Sequence, residues 1–322
     1  MEKFTNNIHD TTRHDTSFLR FSGNIDGGFC WEELTRRRFE DEKCLERYGY
    51  KVYSQNDEDG IIQEIFSRIG TTDKRFIEFG VQNGLESNCH YLLFKGWTGL
   101  WIEGSASYVK EIHNRFRPVI SNGQLKVKNA FITRDNINEL FTSENFTGEI
   151  DLLSIDIDGN DYYVWKAINV IRPRVVVIEY NGKFPPDLDW KQAYNSKHIW
   201  DGSDWQGASL KAYELLGREL GYQLVGTGVQ GANAFFVRQD LAGDKFITPA
   251  TAENLYNPLR SQLHINHPGH NARYCLAVQH EEFGVKDYYP DGKIPRKKWS
   301  SKLIRSLIWK LGNAWRNGRW VD

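Results

Sequence analysis

Two short stretches of this sequence carry oxygen-bearing side chains where strands should end. In "LLSIDIDGNDYYVW" (152–165), Asp156, Asp158 and Asp161 follow an apolar run. In "VVVIEYNG" (175–182), Glu179 and Asn181 do the same. Asp156 and Asp158 are two apart and share a face if the strand continues through them. If the two runs are neighbours in a parallel sheet, their ends lie side by side. Carboxylate and amide oxygens there form the hard ligand set that Mg²⁺ takes in octahedral geometry. Two other readings stay open. The acids can face a bound organic cation, and Asp161 can cap a helix over "YYVWKAI".

A second group sits earlier. "EFGVQNG" ends an apolar run with Glu78, Gly80 and Gly84. Glycines at such a turn let a ligand approach the backbone, and the next helix N-terminus offers free N–H groups. The G-x-G-x-x-G order is absent, because Gln82 and Asn83 stand between the glycines. The next apolar run, "GLWIEG", ends in Glu103, 23 positions after Gly80. A carboxylate about 20 residues beyond such a turn accepts from ribose hydroxyls, so turn and acid together point to an adenosine-type ligand. Upstream, Gln55 and Glu58 in "YSQNDEDG" are placed either to cap the following helix or to reach over that ligand.

These residues need a scaffold, and the hydropathy pattern supplies one. Apolar segments at 75–80, 98–104, 125–132, 150–158 and 174–181 alternate with helical patterns at 85–96, 106–116, 134–142 and 162–168. A helix over 208–221 precedes a hairpin formed by 222–229 and 233–239. This alternation predicts an α/β fold with a mostly parallel seven-stranded sheet, helices on both faces and an antiparallel hairpin at the edge. Ligands then bind beyond the carboxyl ends of the strands, where the acids fall. The predicted organisation is an N-terminal extension (1–50) ending in a charged helix, a main domain (51–245), an irregular segment (246–293) and a basic amphipathic helix (294–322).

In order and composition, "FIEFGVQNG", "GLWIEG", "LKVKNAF", "LLSIDIDGNDYY" and "VVVIEYN" resemble a class I S-adenosylmethionine methyltransferase. "SIDIDGND" is similar to the corresponding segment of FkbM-like members. The resemblance covers roughly residues 52–240. It implies a Rossmann-like methyltransferase fold with S-adenosylmethionine as cofactor. Glu78, Gly80 and Gly84 would surround its methionine part, Glu103 its ribose, and Asn129 and Ala130 its adenine. Asp156, the acid after the fourth strand, would touch the cofactor and hold the metal or the acceptor. The pairing of Asp156 with Glu179 and Asn181 also resembles metal-dependent O-methyltransferases and implies Mg²⁺ there, although Asn181 is one residue further from its acid than in the catechol type.

The long connection at 183–206 reads as a substrate lid. Its Trp190, Tyr194, Trp200 and Trp205, interspersed with Asp and Asn, suit a carbohydrate acceptor. His198, its one histidine, is a candidate base near neutral pH. With the family resemblance, these features imply O-methylation of a sugar hydroxyl in a surface glycan or glycoconjugate. Two alternatives are a dinucleotide-dependent nucleotide-sugar oxidoreductase, which the missing glycine fingerprint argues against, and a non-catalytic scaffold of glycan assembly.

Formal net charge is −1, so no global field draws in nucleic acid. The charge is uneven: Arg296–Asp322 holds eight Lys/Arg and one acid, hence +7 there and −8 elsewhere. With Trp299, Leu303, Leu307, Leu311 and Trp315 at steps of four, this tail reads as a membrane-surface helix across 296–320, or as a helix docked on the acidic body or on a second subunit of a homo-oligomer. "HINHPGHNARYC" places His264, His267, His270 and Cys275 close together, but Pro268 and Gly269 interrupt them and the spacing fits no zinc template. The polar start lacks a secretory signal pattern, no apolar run approaches the roughly 20 residues of a membrane span, and four unpaired cysteines read as reduced thiols. These features imply a cytoplasmic protein, with the tail allowing a place at the inner face of the membrane.

Overall fold

The computed structural model describes residues 40–260. The basic helix with its membrane-contact stretch, the His264–Cys275 cluster, most of 246–293 and residues 1–39 of the extension lie outside the described residues. Among the described residues, no helix is long and apolar enough to cross a membrane.

Seven strands form one sheet: β1 (Arg75–Phe79), β2 (Thr98–Glu103), β3 (Leu125–Asn129), β4 (Gly148–Ile155), β5 (Ile171–Glu179), β6 (Tyr222–Thr227) and β7 (Asn233–Arg238). Their order is β3-β2-β1-β4-β5-β7-β6. The first five are parallel, and β7 pairs antiparallel with both β5 and β6. The result is the expected Rossmann-like α/β sheet with its edge hairpin. The chain moves outward from β1 through β2 to β3, then returns to place β4 on the other side of β1. That reversal opens a crevice between the ends of β1 and β4, the place where such sheets bind ligands.

The main helices are α1 (Glu58–Ile69), α2 (His90–Leu93), α3 (Ala106–Arg115), α4 (Arg117–Ser121), α5 (Ile137–Ser143), α6 (Asp161–Ala167) and α7 (Leu210–Glu219). Short turns α8 (Gln239–Ala242) and α9 (Ala252–Leu255) follow the sheet. Both faces of the sheet are covered. Ile77 and Phe79 of β1 enter one apolar cluster and Phe76 the other, as the period of two requires. Each fully buried side chain of this size stabilises the fold by roughly 1.5–3 kcal/mol. Glu78 therefore falls on the Phe76 face, beneath the turn it organises.

Several expected elements differ, and the strand over 125–132 stops at Asn129. The helix over 85–96 contracts to α2, because the preceding residues turn to aim the Asn88 and Cys89 N–H groups at Glu78. The strand over 150–158 stops at Ile155, and Asp158 adopts a left-handed φ of 54°. Asp156 and Asp158 therefore meet through a turn rather than along one strand face. Within residues 40–50, the charged helix is only a 3₁₀ turn at Leu45–Tyr48, with Leu45 buried against Gly226.

Candidate active site

A cavity of about 870 Å³ lies over the carboxyl ends of the strands. Glu78, Gly80, Glu103 and Ala130 line its β1–β3 half, and Asp156, Asp158, Glu179 and His198 line its β4–β5 half.

The first half is built by Glu103. Its Oε2 accepts from the Gln82 N–H at 2.8 Å and its Oε1 from the Ser105 N–H at 2.7 Å. Both bonds fix the carboxylate while leaving each oxygen a further lone pair. Burial pushes its carboxyl above the usual range. Gln82 stands where a fingerprint would have glycine, yet it takes the left-handed φ of 50° that glycine favours. The bond to Glu103 offsets the roughly 1–2 kcal/mol that such a conformation costs. Tyr108 and Phe131, both exposed and apolar, form the outer wall here.

Glu78 faces the cavity, but the chain already occupies its carboxylate. It accepts from Asn88 N–H (2.7 Å), Cys89 N–H (3.0 Å) and Trp101 Nε1 (3.2 Å). Burial pushes its pKa up to about 7. Two residues expected at the cofactor, Gly84 and Asn129, are not among those that line the cavity. Gly84 packs over Trp101 and Phe116, which a Cβ would strike at 2.6 and 3.0 Å. Asn129 donates from Nδ2 to the Glu103 and Gly104 carbonyls, tying β3 to the end of β2.

In the second half, one carboxylate oxygen from each of Asp156, Asp158 and Glu179 lies within 4.8 Å of the others. Burial and mutual repulsion hold the Asp156 and Glu179 carboxyls well above the usual carboxylate range. Each ionised pair at this separation costs roughly 3–4 kcal/mol at the effective dielectric of a protein site. Such a group suits a bound cation. Asp161, expected as a helix cap, is instead the first residue of α6. Its carboxylate accepts from the Ile157 and Gly159 N–H groups, both at 2.8 Å, and so winds the acidic turn around itself. Asn181, expected as a ligand, is used elsewhere. Its Nδ2 donates to the carbonyls of Asp204 and Gln206, and its Oδ1 accepts from the Lys183 N–H. The third carboxylate of the cluster is Asp158.

The 183–206 segment is fastened to this turn. Asn160 exchanges hydrogen bonds with the Asn195 backbone at 2.7 and 3.3 Å, and Tyr163 donates to the Gln192 carbonyl at 2.8 Å. His198 lies on Gly159, where a Cβ would meet its ring at 2.2 Å. Its Nε2 donates to the Asp158 carbonyl at 3.0 Å, which leaves Nδ1 as the proton acceptor of the neutral ring. The four lid aromatics do not line the cavity. Trp190 packs between Phe184 and Trp205, Tyr194 on Tyr163 and Arg134, and the Trp200 indole N–H donates to the Ser203 carbonyl. They pack within and beside the 183–206 segment and form no aromatic platform in the cavity. Ile199, 77% exposed, is the lid's apolar contribution to the cavity.

No family model matches the chain, and comparison with curated proteins finds no match. Among solved structures, the chain is similar to the N-terminal domain of EvdMO1 with SAH bound, at 13% identity over 64% of this chain and 94% of that one, with a TM-score of 0.38. It is also similar to a putative caffeoyl-CoA O-methyltransferase from Staphylococcus aureus, at 12% identity over 73% and 98%, with a TM-score of 0.39. A third likeness is to an O-methyltransferase from Bacillus cereus in complex with SAH, at 14% identity over 54% and 76%, with a TM-score of 0.35. At these scores the likenesses carry no functional conclusion for this chain.

Proposed function

We propose that the chain is an S-adenosylmethionine-dependent O-methyltransferase of the FkbM-like kind, acting on a sugar hydroxyl of a glycan or glycoconjugate with help from Mg²⁺. One observation carries the reading. A single cavity joins a fixed carboxylate suited to a ribose, Glu103 beside the glycine turn, to a group of three carboxylates suited to a cation, Asp156, Asp158 and Glu179.

Bound S-adenosylmethionine would supply an activated methyl group, and a bound Mg²⁺ would supply Lewis acidity. The chain's own residues do the rest. Glu103 accepts from the ribose with both oxygens already aimed by backbone donors. Tyr108 and Phe131 give the adenine an apolar wall. Asp156, Asp158 and Glu179 would hold the metal, and their negative charge would also favour a sulfonium nearby. His198, steered by the Asp158 carbonyl, takes the hydroxyl proton at Nδ1. The lid brings the histidine over the site, which supplies proximity rather than a new reactive group.

The oxidoreductase alternative finds less support. A dinucleotide pyrophosphate would lie among carboxylates, with no Lys or Arg among the described lining residues. The sugar part rests on the polar groups of the cavity and on the family resemblance, now that the lid aromatics are committed elsewhere. Incubation with methyl-labelled S-adenosylmethionine, Mg²⁺ and a panel of methyl glycosides tests it. Label transferred to a glycoside hydroxyl is the expected result. Label transferred only to non-sugar hydroxyls or to amines would remove the sugar assignment.

A further inference from the structure

Asn233 opens β7 and pairs across the sheet with Glu179. It lines the cavity and is 5% exposed. Its Nδ2 donates to Glu58 Oε1 at 2.8 Å. Glu58 is fully buried and also accepts from the Asn56 N–H at 2.7 Å and from Asn56 Nδ2 at 3.1 Å. A carboxylate crowded by donors fixes the amide's orientation, with nitrogen toward Glu58 and oxygen away from it. That oxygen, Oδ1, is buried and has no partner among the described residues. A buried amide oxygen left so is costly unless a ligand donor completes it.

The surroundings say what kind of ligand. Six carboxyl groups line the cavity, Glu78, Glu86, Glu103, Asp156, Asp158 and Glu179, and no Lys or Arg does among the described residues. Glu86 is paired with Lys51 at 3.1 Å, and one divalent cation would offset only part of the charge of the other five. A phosphate or carboxylate on the acceptor would meet repulsion, while a neutral hydroxyl would find acceptors. Gln55 adds a neutral carboxamide to the lining. The turn that carries it is held by Asp59, whose carboxylate accepts from three successive N–H groups, of Val52, Tyr53 and Ser54.

We propose that Asn233 Oδ1 accepts a hydrogen bond from a hydroxyl of the methyl acceptor, and that the cavity selects an uncharged polyhydroxylated acceptor over a phosphate-bearing one. The inference rests on the methyltransferase reading and narrows it: a nucleotide-activated sugar is excluded, and a sugar already transferred to its chain is favoured. Glu58 is a positioning residue that acts through Asn233.

The test uses the full chain loaded with S-adenosylhomocysteine and Mg²⁺. Saturation-transfer NMR is recorded with methyl glucoside, methyl mannoside and inositol, and in parallel with glucose phosphate and uridine diphosphate glucose. An uncharged probe should bind where neither phosphate-bearing probe does. Asn233→Leu should weaken it about fivefold or more, the worth of one hydrogen bond, with S-adenosylhomocysteine affinity unchanged. Glu58→Gln keeps the shape but lets the Asn233 amide turn over. It should weaken the same probe less, and it carries the test if the leucine variant fails to fold. Equal binding of phosphate-bearing probes, no uncharged probe on the loaded protein, or unchanged probe binding in the variants would overturn the proposal. Failure of S-adenosylhomocysteine itself to bind is a different result, which removes the methyltransferase premise.

Discussion

Gly80 and Asp156 cross so closely that a Cβ on the glycine would stand 1.4 Å from the Asp156 carbonyl oxygen. Gly80 also takes a left-handed φ of 78°. The two loops that meet here end β1 and β4, so this contact sets the width of the crevice between the two halves of the site. Gly80→Ala should therefore cost roughly 2–4 kcal/mol, from overpacking against rigid backbone plus an unfavourable φ. Urea denaturation measures it. A loss below about 0.5 kcal/mol would show that the loops can separate freely.

The carboxylate group makes stability depend on pH. Asp156 and Glu179 are raised by burial and repulsion, and Glu78 by burial to about 7. Above about pH 4 the unfolded chain has released these protons while the native state retains them. Stability from these groups is thus complete below the unfolded value and falls as pH rises through the folded one. Glu78 alone accounts for about 3 kcal/mol of that fall. The thermal midpoint without metal should be lower at pH 8 than at pH 5, and Mg²⁺ should restore part of the difference at pH 8. A midpoint that rises over this range, with no response to Mg²⁺, would contradict the assignment.

Removing one of the three repelling charges should separate stability from function. Glu179→Gln should raise the metal-free thermal midpoint at pH 8, abolish its response to Mg²⁺ and reduce methyl transfer at least a hundredfold. Asn181→Ala should leave the Mg²⁺ response intact and instead loosen the lid, seen as faster proteolysis within 183–206. An Mg²⁺ response lost in Asn181→Ala as well as in Glu179→Gln would restore the ligand set expected from the sequence.

His198 separates chemistry from binding. His198→Ala should lower kcat about a hundredfold, the lower end for a general base, with S-adenosylhomocysteine affinity within about twofold. Unchanged kcat would leave the imidazole a lid anchor on the Asp158 carbonyl.

The sheet was legible because its signals are local. Runs such as "VVVIE" and "GLWIE" have the length and composition of buried parallel strands, and their acidic ends mark the ligand edge. Glu103, Asp156 and Glu179 are placed at that edge in this way, and all three line the cavity. What failed depends on contacts between distant residues. The place of Asp158 follows from a turn that Asp161 winds by accepting from the Ile157 and Gly159 N–H groups, whereas the sequence reads as strand through Asp158 with Asp161 free to cap the next helix. Asn181 looks like a ligand until the Asp204 and Gln206 carbonyls claim its amide, more than 20 positions away. The lid aromatics look like a sugar platform because composition cannot say which way a ring faces. Asn233 gave no signal at all: its place beside Glu179 exists only through antiparallel pairing, and its orientation only through Glu58, 175 positions away.

The most direct measurement is calorimetric titration of S-adenosylhomocysteine into the wild type and into Glu103→Ala, each with and without Mg²⁺. The expected result is one-site binding to the wild type, weakened at least tenfold in the variant, whose missing carboxylate can no longer accept from the ribose. Absence of binding to the wild type under both conditions, or equal affinity in the variant, would contradict the assignment of this cavity to S-adenosylmethionine.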